Sequence, residues 1–242
     1  MENAKTNRAA VIGASSGIGR ATAELLVTHG YSVLAVGRDA AKLRELSESA
    51  AASSGALSVR QADAAGDAIA AVLEGFAPFS HLILTLSSSR GGGPFATLDL
   101  ADLHAGFDGK FWLHVATARA ALPFLARGGS ITFVTACSAG ASIPGTAGLA
   151  AINGALEAMV PILAIELAPT RVNAVSPGII DTPWWAGFPS ALREQTFSGY
   201  AQVAPAGRVG QPGEVADAIR FVIENGFVTG NVLSIDGGYR FA

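Results

Sequence analysis

The sequence predicts an α/β fold: a single doubly wound domain built on a seven-stranded, mostly parallel sheet. Three observations carry that prediction. Apolar runs rich in β-branched residues alternate with segments of helical period from one end of the 242 residues to the other. Those runs are nearly continuous rather than alternating, as expected where crossover helices bury both faces of a strand. A glycine cluster, Gly13, Gly17 and Gly19, stands between the first apolar run and the first helical segment.

The elements follow in order. Residues 9–13 read as the first strand, and the amphipathic segment 17–29 as the helix that returns from it. Residues 32–37 give the second strand and 40–52 the next helix, with Asp39 placed to cap it. Residues 56–61, 81–86 and 130–135 supply the third to fifth strands, and one long helix over 100–126 precedes the fifth. A helix over 149–168 leads to the sixth strand, 171–176. The interval 177–210 breaks the rhythm: Pro177, Pro183, Pro189 and Pro205 are interleaved with Trp184, Trp185 and Phe188. It reads as an irregular or short-helical excursion of the kind that serves as a lid. A helix over 213–225 and a strand over 232–235 close the domain.

Composition narrows the function. The net charge of -3 and a charged fraction of 14% offer no basic stripe for nucleic acid and no polybasic run for a membrane surface. Mean hydropathy is +0.40, yet the most apolar stretch, 147–168, is interrupted by Asn153, Glu157, Pro161 and Glu166 and is expected inside a fold or an interface rather than in a bilayer. Residues 1–8 are polar, which predicts neither a signal peptide nor an anchor and places the protein in the cytoplasm. Cys137 has no cysteine to pair with, and with four histidines scattered along the chain no metal site is expected.

The glycine cluster points to a phosphate site. Glycines at a strand-to-helix turn let the backbone approach a pyrophosphate, whose charge is met by the N–H groups and dipole of the helix N-terminus. Ser15 and Ser16 add hydroxyl donors, and Ile18 lies within the same turn. Cofactor choice is read after the second strand, where Arg38 offers a planar fork to a ribose 2′-phosphate. That favours NADP(H). Asp39, one position further, keeps NAD(H) as the lesser reading. Asp63, after the third strand, is placed either to accept from the adenine amino group or to cap a helix starting near Ala64.

Further motifs extend along the chain: Arg171-Val172-Asn173-Ala174-Val175-Ser176-Pro177-Gly178, Gly207-Arg208-Val209-Gly210-Gln211-Pro212, Val228-Thr229-Gly230 and Asp236-Gly237-Gly238. With the glycine turn, they make the whole chain resemble the short-chain dehydrogenase/reductase family. The resemblance implies a Rossmann-type domain that takes a nicotinamide cofactor and a small-molecule substrate. It also implies that Pro177 and Gly178 lie beside the nicotinamide, with Ile180 and Thr182 reaching its carboxamide or the phosphates.

The resemblance also exposes a departure. The family's tyrosine, which handles the substrate proton, and the lysine four residues on fall at Ala150 and Gly154 when its serine is placed at Cys137. Placing the serine at Ser138 moves them to Ala151 and Ala155. The only tyrosines are Tyr31, Tyr200 and Tyr239 and the only lysines Lys5, Lys42 and Lys110, so no register restores the pair. Thr85-Leu86-Ser87-Ser88 stands where the family commonly has Asn-Asn-Ala-Gly.

Aligning Phe107-Asp108-Gly109-Lys110-Phe111-Trp112 with the family's helix puts Lys110 in the slot of its asparagine. A lysine there would bring positive charge back to the nicotinamide ribose and, partly desolvated, would act as a proton donor. The alternative is a structural lysine paired with Asp108 or Glu157. Ser138 is the candidate for polarising a carbonyl, with Cys137 as a buried filler, and Asn153 reaches either the cofactor or the core. His114, one turn after Lys110, reads as a packed histidine.

These residues together predict an oxidoreductase that uses NADPH on an activated or bulky carbonyl, such as a quinone, with Lys110, Ser138 and Asn153 as its catalytic residues. Hydride transfer to such an acceptor leaves a phenolate or enolate that water can protonate later, whereas an unactivated ketone needs its proton at once. The alternative is a catalytically silent NADP(H)-binding sensor or structural subunit. The alanine-rich helices over 100–126 and 149–168 would expose apolar faces on a monomer, which predicts a homodimer or homotetramer.

Overall fold

Seven strands run parallel in one sheet with the order β3-β2-β1-β4-β5-β6-β7 in the computed structural model, which describes residues 7–50, 53–65 and 68–242. The strands are β1 (Arg8–Ile12), β2 (Ser32–Gly37), β3 (Ala56–Gln61), β4 (Phe79–Leu84), β5 (Leu125–Val134), β6 (Arg171–Pro177) and β7 (Val232–Ile235). The helices are α1 (Gly17–Thr28), α2 (Ala40–Ser49), α3 (Ala68–Glu74), α4 (Leu100–Phe107), α5 (Leu113–Ala121), α6 (Ala147–Glu166), α7 (Ser190–Val203) and α8 (Pro212–Glu224).

The chain winds outward from β1 in one direction and, from β4, in the other. β1 therefore pairs with both β2 and β4, Val11 lying opposite Ala35 on one side and Ile83 on the other. Crossovers diverge at this point, and a crevice opens at the carboxyl ends of the two strands. Two apolar layers hold the sheet. On one face Leu26 and Val27 of α1, Leu43 and Leu46 of α2, and Val215, Ile219 and Val222 of α8 pack on β1 and β2. On the other, Ile69 and Leu73 of α3, Ala118 and Ala121 of α5, and Leu156 and Val160 of α6 pack on β4, β5 and β6.

Burial on both faces holds for the central strands and fails at one edge. β3 leaves Ala56, Ser58, Arg60 and Gln61 exposed because only β2 flanks it. The expected helix over 40–52 is seen as α2, capped by Asp39 Oδ1, which accepts from the amides of Ala41 at 3.0 Å and Lys42 at 3.1 Å. The last two residues of that expectation, 51 and 52, lie outside the described residues.

Two expectations need correction. The single helix over 100–126 is three pieces: α4, a π-helical turn over Asp108–Trp112, and α5. It ends at Ala121, and Pro123 sits in a tight turn over Leu122–Phe124 before β5 begins at Leu125. The proline has no N–H for a continuing helix. The excursion over 177–210 is more regular than its prolines suggest. A tight turn over Pro183–Gly187 leads through Pro189 into α7, which is 14 residues long. Of that helix only Tyr200 is buried, so no apolar periodicity announced it.

α6 is the one described helix long and apolar enough to cross a membrane by length and composition. It packs on the sheet instead, with Ile152, Asn153, Leu156 and Val160 buried and Pro161 on its exposed side.

Candidate active site

The phosphate turn is built so that only glycine fits. Gly13 and Gly17 have φ of +96° and +56°, in the left-handed region that other residues disfavour. A Cβ on Gly13 would stand 2.7 Å from Thr85 Oγ1, and one on Gly19 would strike that oxygen and the Gly13 carbonyl. Thr85 itself is fixed, its hydroxyl donating to the Ile12 carbonyl at 2.9 Å. The turn is pinned to β2 by the Gly13 and Ala14 amides, both 2.9 Å from the Val36 carbonyl. Ser16 precedes α1 without a side-chain capping bond, and no acidic residue occupies the first turn. The amides there are left to meet an anion, as the site of a nucleotide pyrophosphate requires.

From this turn two cavities extend over the sheet. One of about 350 Å³ is lined by Ser15, Ser16, Arg38, Asp63 and Ser87–Ser89, which suits the adenosine end of a dinucleotide. Arg38 is exposed there with its guanidinium free of any ion pair among the described residues. Asp39 is turned to the cap of α2, whose amides hold its carboxyl below the usual carboxylate range. Asp63 accepts from the Ala65 amide at 3.0 Å at the cavity edge, in a turn rather than a helix start.

The second cavity, about 470 Å³, is lined by Gly17, Ile18 and Gly19 at one end and by Pro177, Gly178, Ile180 and Thr182 along one wall. Lys110, Ser138 and Asn153 also line it, so the three candidate catalytic residues come together although they are distant in sequence. Ala150 and Gly154 sit on α6 beside Asn153, and a Cβ on Gly154 would meet nothing within 4 Å. The slots are open. His114 is not brought into the cavity. Its ring lies between the carbonyls of Lys110 at 2.9 Å and Leu84 at 3.2 Å, and burial, with the Lys110 charge, holds it neutral with a pKa of about 3.

Lys110 reaches the cavity from the π-helical turn and is 8% exposed. Its Nζ donates to the Thr135 carbonyl at 3.1 Å, and it forms no direct ion pair with Asp108 or Glu157. Burial lowers its pKa from 10.5 to about 8, opposed only by the Glu157 charge. An amine poised near neutrality is suited to proton transfer. Ser138 Oγ accepts from Asn153 Nδ2 at 3.2 Å. Asn153 Nδ2 also donates to the Leu149 carbonyl at 2.9 Å, which fixes the orientation of the amide and leaves the Ser138 hydroxyl hydrogen available to a ligand. The Cys137 thiol is pushed up to about 11, mainly by burial, and stays protonated at neutral pH.

Three aromatic rings gather beyond Thr182. Trp184 and Trp185 line the cavity, with ring centroids 4.8 Å apart, and Phe188 packs on both. Trp185 Nε1 donates to the Ile180 carbonyl at 3.1 Å, tying these rings to the wall. From α7, Tyr200 donates to the Asp236 carbonyl at 2.6 Å and lies so close over Gly178 that no Cβ fits there.

The glycine cradle, the crevice beyond β1 and β4 and the wall from Pro177 to Thr182 coincide with one family along the whole chain. A family model described as enoyl-(acyl carrier protein) reductase matches residues 13–240. The cis-4-hydroxycyclohexanecarboxylate dehydrogenase of Sinomonas cyclohexanicum is 34% identical over 262 residues, covering 99% of this chain and 99% of that protein. The chain belongs to the short-chain dehydrogenase/reductase family.

Solved structures agree. A short-chain dehydrogenase/reductase of the glucose/ribitol dehydrogenase type from Brucella melitensis is similar with a TM-score of 0.88 and 31% identity, covering 100% of both chains. A small-chain dehydrogenase in complex with NADPH is similar with a TM-score of 0.83 and 29% identity, covering 97% of this chain and 99% of that one. The family is one of oxidoreductases, and its fold is the single doubly wound domain with seven parallel strands seen here.

Sequence reasoning missed Thr135 and Ser176, and it named Glu157 only as a structural partner of Lys110. Thr135 holds its Nζ, and the hydroxyls of Thr135 and Ser176 both reach Glu157. The available signal was Glu157 itself, one of two acidic residues in an otherwise apolar helix.

Proposed function

We propose that this chain is an NADP(H)-dependent reductase of an activated or bulky carbonyl, a quinone or conjugated enone, in which Lys110 takes over charge and proton handling from the absent tyrosine and lysine. The observation that carries the reading is the buried Lys110 amine, which lines one cavity together with Ser138, Asn153 and the wall of Pro177, Gly178, Ile180 and Thr182. NADPH, when bound, supplies a hydride. Gly13, Gly17, Gly19 and the start of α1, with Ser15, Ser16 and Ile18, hold its pyrophosphate. Arg38 pairs with the 2′-phosphate, Asp63 meets the adenine, and Pro177, Gly178, Ile180 and Thr182 line the nicotinamide side.

The chain's own residues then act on the substrate. Ser138 donates its free hydroxyl hydrogen to the carbonyl oxygen, and Asn153 orients Ser138 by donating to its oxygen. Lys110 stabilises the developing oxyanion and supplies a proton. General acid–base assistance of this kind is worth about 10²–10⁴-fold, roughly 3–5 kcal/mol of barrier. Trp184, Trp185 and Phe188 exclude water and favour a flat, apolar acceptor. Exposed Trp112, Ile162 and Ile165 on the α5 and α6 side support association as a homodimer or homotetramer.

The test measures NADPH oxidation over quinones, enones, aldehydes and simple ketones, with NADPH binding followed in the same samples. Turnover restricted to activated acceptors, lost in Lys110→Met while NADPH still binds, is the expected result. Tight binding without turnover on any acceptor would replace this reading with that of a silent NADP(H)-binding subunit.

A further inference from the structure

Glu157 stands three residues beyond Gly154 on α6, partly buried, and its Oε1 accepts two hydroxyl donors: Thr135 Oγ1 at 2.6 Å and Ser176 Oγ at 2.8 Å. Thr135 lines the cavity, and Ser176 stands directly before the lining residues Pro177 and Gly178. Thr135 directly follows β5 and leads to Cys137 and Ser138, and its carbonyl is the acceptor for Lys110 Nζ at 3.1 Å. Ser176 directly precedes Pro177 and Gly178 at the end of β6. One carboxylate oxygen therefore joins the residue that holds the amine to the turn that forms the nicotinamide-side wall.

We infer that Glu157 is a positioning residue for the reaction: by clamping Thr135 and Ser176 together it fixes the Lys110 amine relative to the Pro177–Gly178 wall. The inference rests on the role given to Lys110 above. Thr135 serves both groups, hydroxyl to Glu157 and carbonyl to Lys110, so a shift of the glutamate would move the lysine's acceptor.

The charges around the amine leave Glu157 as the one that matters. On α6, Glu157 carries a charge that opposes the effect of burial on the amine. α5 presents His114, which is neutral. The segment after β5 presents the Cys137 thiol, protonated at neutral pH. Asp236, beyond β7, acts on Cys137 and not on the lysine. Asp108 lies in the same turn as Lys110 and contributes nothing to its titration. Removing Glu157 would leave a buried amine with no counter-charge, and it would release its proton nearer to neutral pH.

Carbon-13 spectra of lysine labelled at Cε test this on the free, full-length chain. The sequence has three lysines, Lys5, Lys42 and Lys110, and Lys110→Met identifies the third signal. Glu157→Gln, which preserves size and acceptor oxygen, is expected to move the Lys110 midpoint down by about one pH unit, the low end of the range for a nearby opposite charge. Glu157→Asp, which keeps the charge, is expected to stay near the wild-type midpoint. With turnover as a second readout, the alkaline limb of the pH profile should move with the midpoint. Glu157→Met replaces the glutamine variant if that one fails to fold. An unchanged midpoint in a folded charge-removing variant, or equal shifts in the glutamine and aspartate variants, would overturn the inference. Normal turnover in Lys110→Met would remove the chemical role of Lys110 and leave the measured coupling between the two residues standing.

Discussion

Lys110→Met should make the protein more stable while it removes the chemistry. The wild-type amine is buried, and its pKa falls from 10.5 to about 8, which corresponds to about 3 kcal/mol of penalty on the charged form at neutral pH. Losing the 3.1 Å bond to the Thr135 carbonyl costs about 1 kcal/mol. Methionine has similar length and fills the same space with apolar atoms. The variant should therefore gain about 2 kcal/mol at pH 7.

The sign of the pH effect follows from the depressed pKa. Between about 8 and 10.5 the unfolded chain binds a proton that the folded chain has released, so stability rises with pH across that window. Below about 8 the penalty is present in full. Cys137 and Tyr200, whose pKa values are raised by burial, pull the other way at alkaline pH, but they are common to both proteins. Urea unfolding of wild type and Lys110→Met at steps between pH 7 and 10.5 isolates the lysine in the difference curve. That difference should shrink as pH rises. A variant less stable than wild type at pH 7, or a difference that stays flat across the window, would refute the account of Lys110 as a desolvated amine.

Three other outcomes are expected. Arg38→Ala should weaken NADPH binding by about 10–100-fold, the worth of charge-assisted hydrogen bonds to a phosphate, and leave NADH binding unchanged in isothermal titration. Gly13→Ala should lose about 2–4 kcal/mol in urea unfolding, because a Cβ at φ +96° meets Thr85 Oγ1 at 2.7 Å, and should abolish nucleotide binding. Ser138→Ala should lower kcat by about 10–100-fold with NADPH affinity retained, the loss associated with one hydrogen bond to a developing charge.

How much of this was legible in the sequence depends on what each residue is for. The phosphate turn was legible because its geometry admits only glycine at Gly13 and Gly19, so residue type alone carries the information. Arg38 and Asp63 were singled out by their places at strand ends, and Pro177, Gly178, Ile180 and Thr182 by the family resemblance; all six line the two cavities. Lys110 followed from its slot and from the scarcity of lysines. Thr135 and Ser176 were not legible, because a hydroxyl residue at the end of a buried strand is common and its partner is set by packing. The π-helical turn at Asp108–Trp112 changes a hydrogen-bonding pattern without a distinctive composition. α7 was hidden for the opposite reason, since a helix that turns nearly all its residues to solvent has no apolar stripe to detect.

That π-helical turn has a consequence for transplanting the site. It places one more residue in the turn than an α-helix holds, and each residue in an α-helix advances the side-chain direction by about 100°. The azimuth of Lys110 is thus a property of backbone phase as much as of amino-acid identity. A lysine grafted at the matching place on an uninterrupted helix would aim about a quarter-turn away from the Thr135 carbonyl. Deleting Gly109 would turn the amine by about 100° relative to α4, so the dial on this site is the length of the turn.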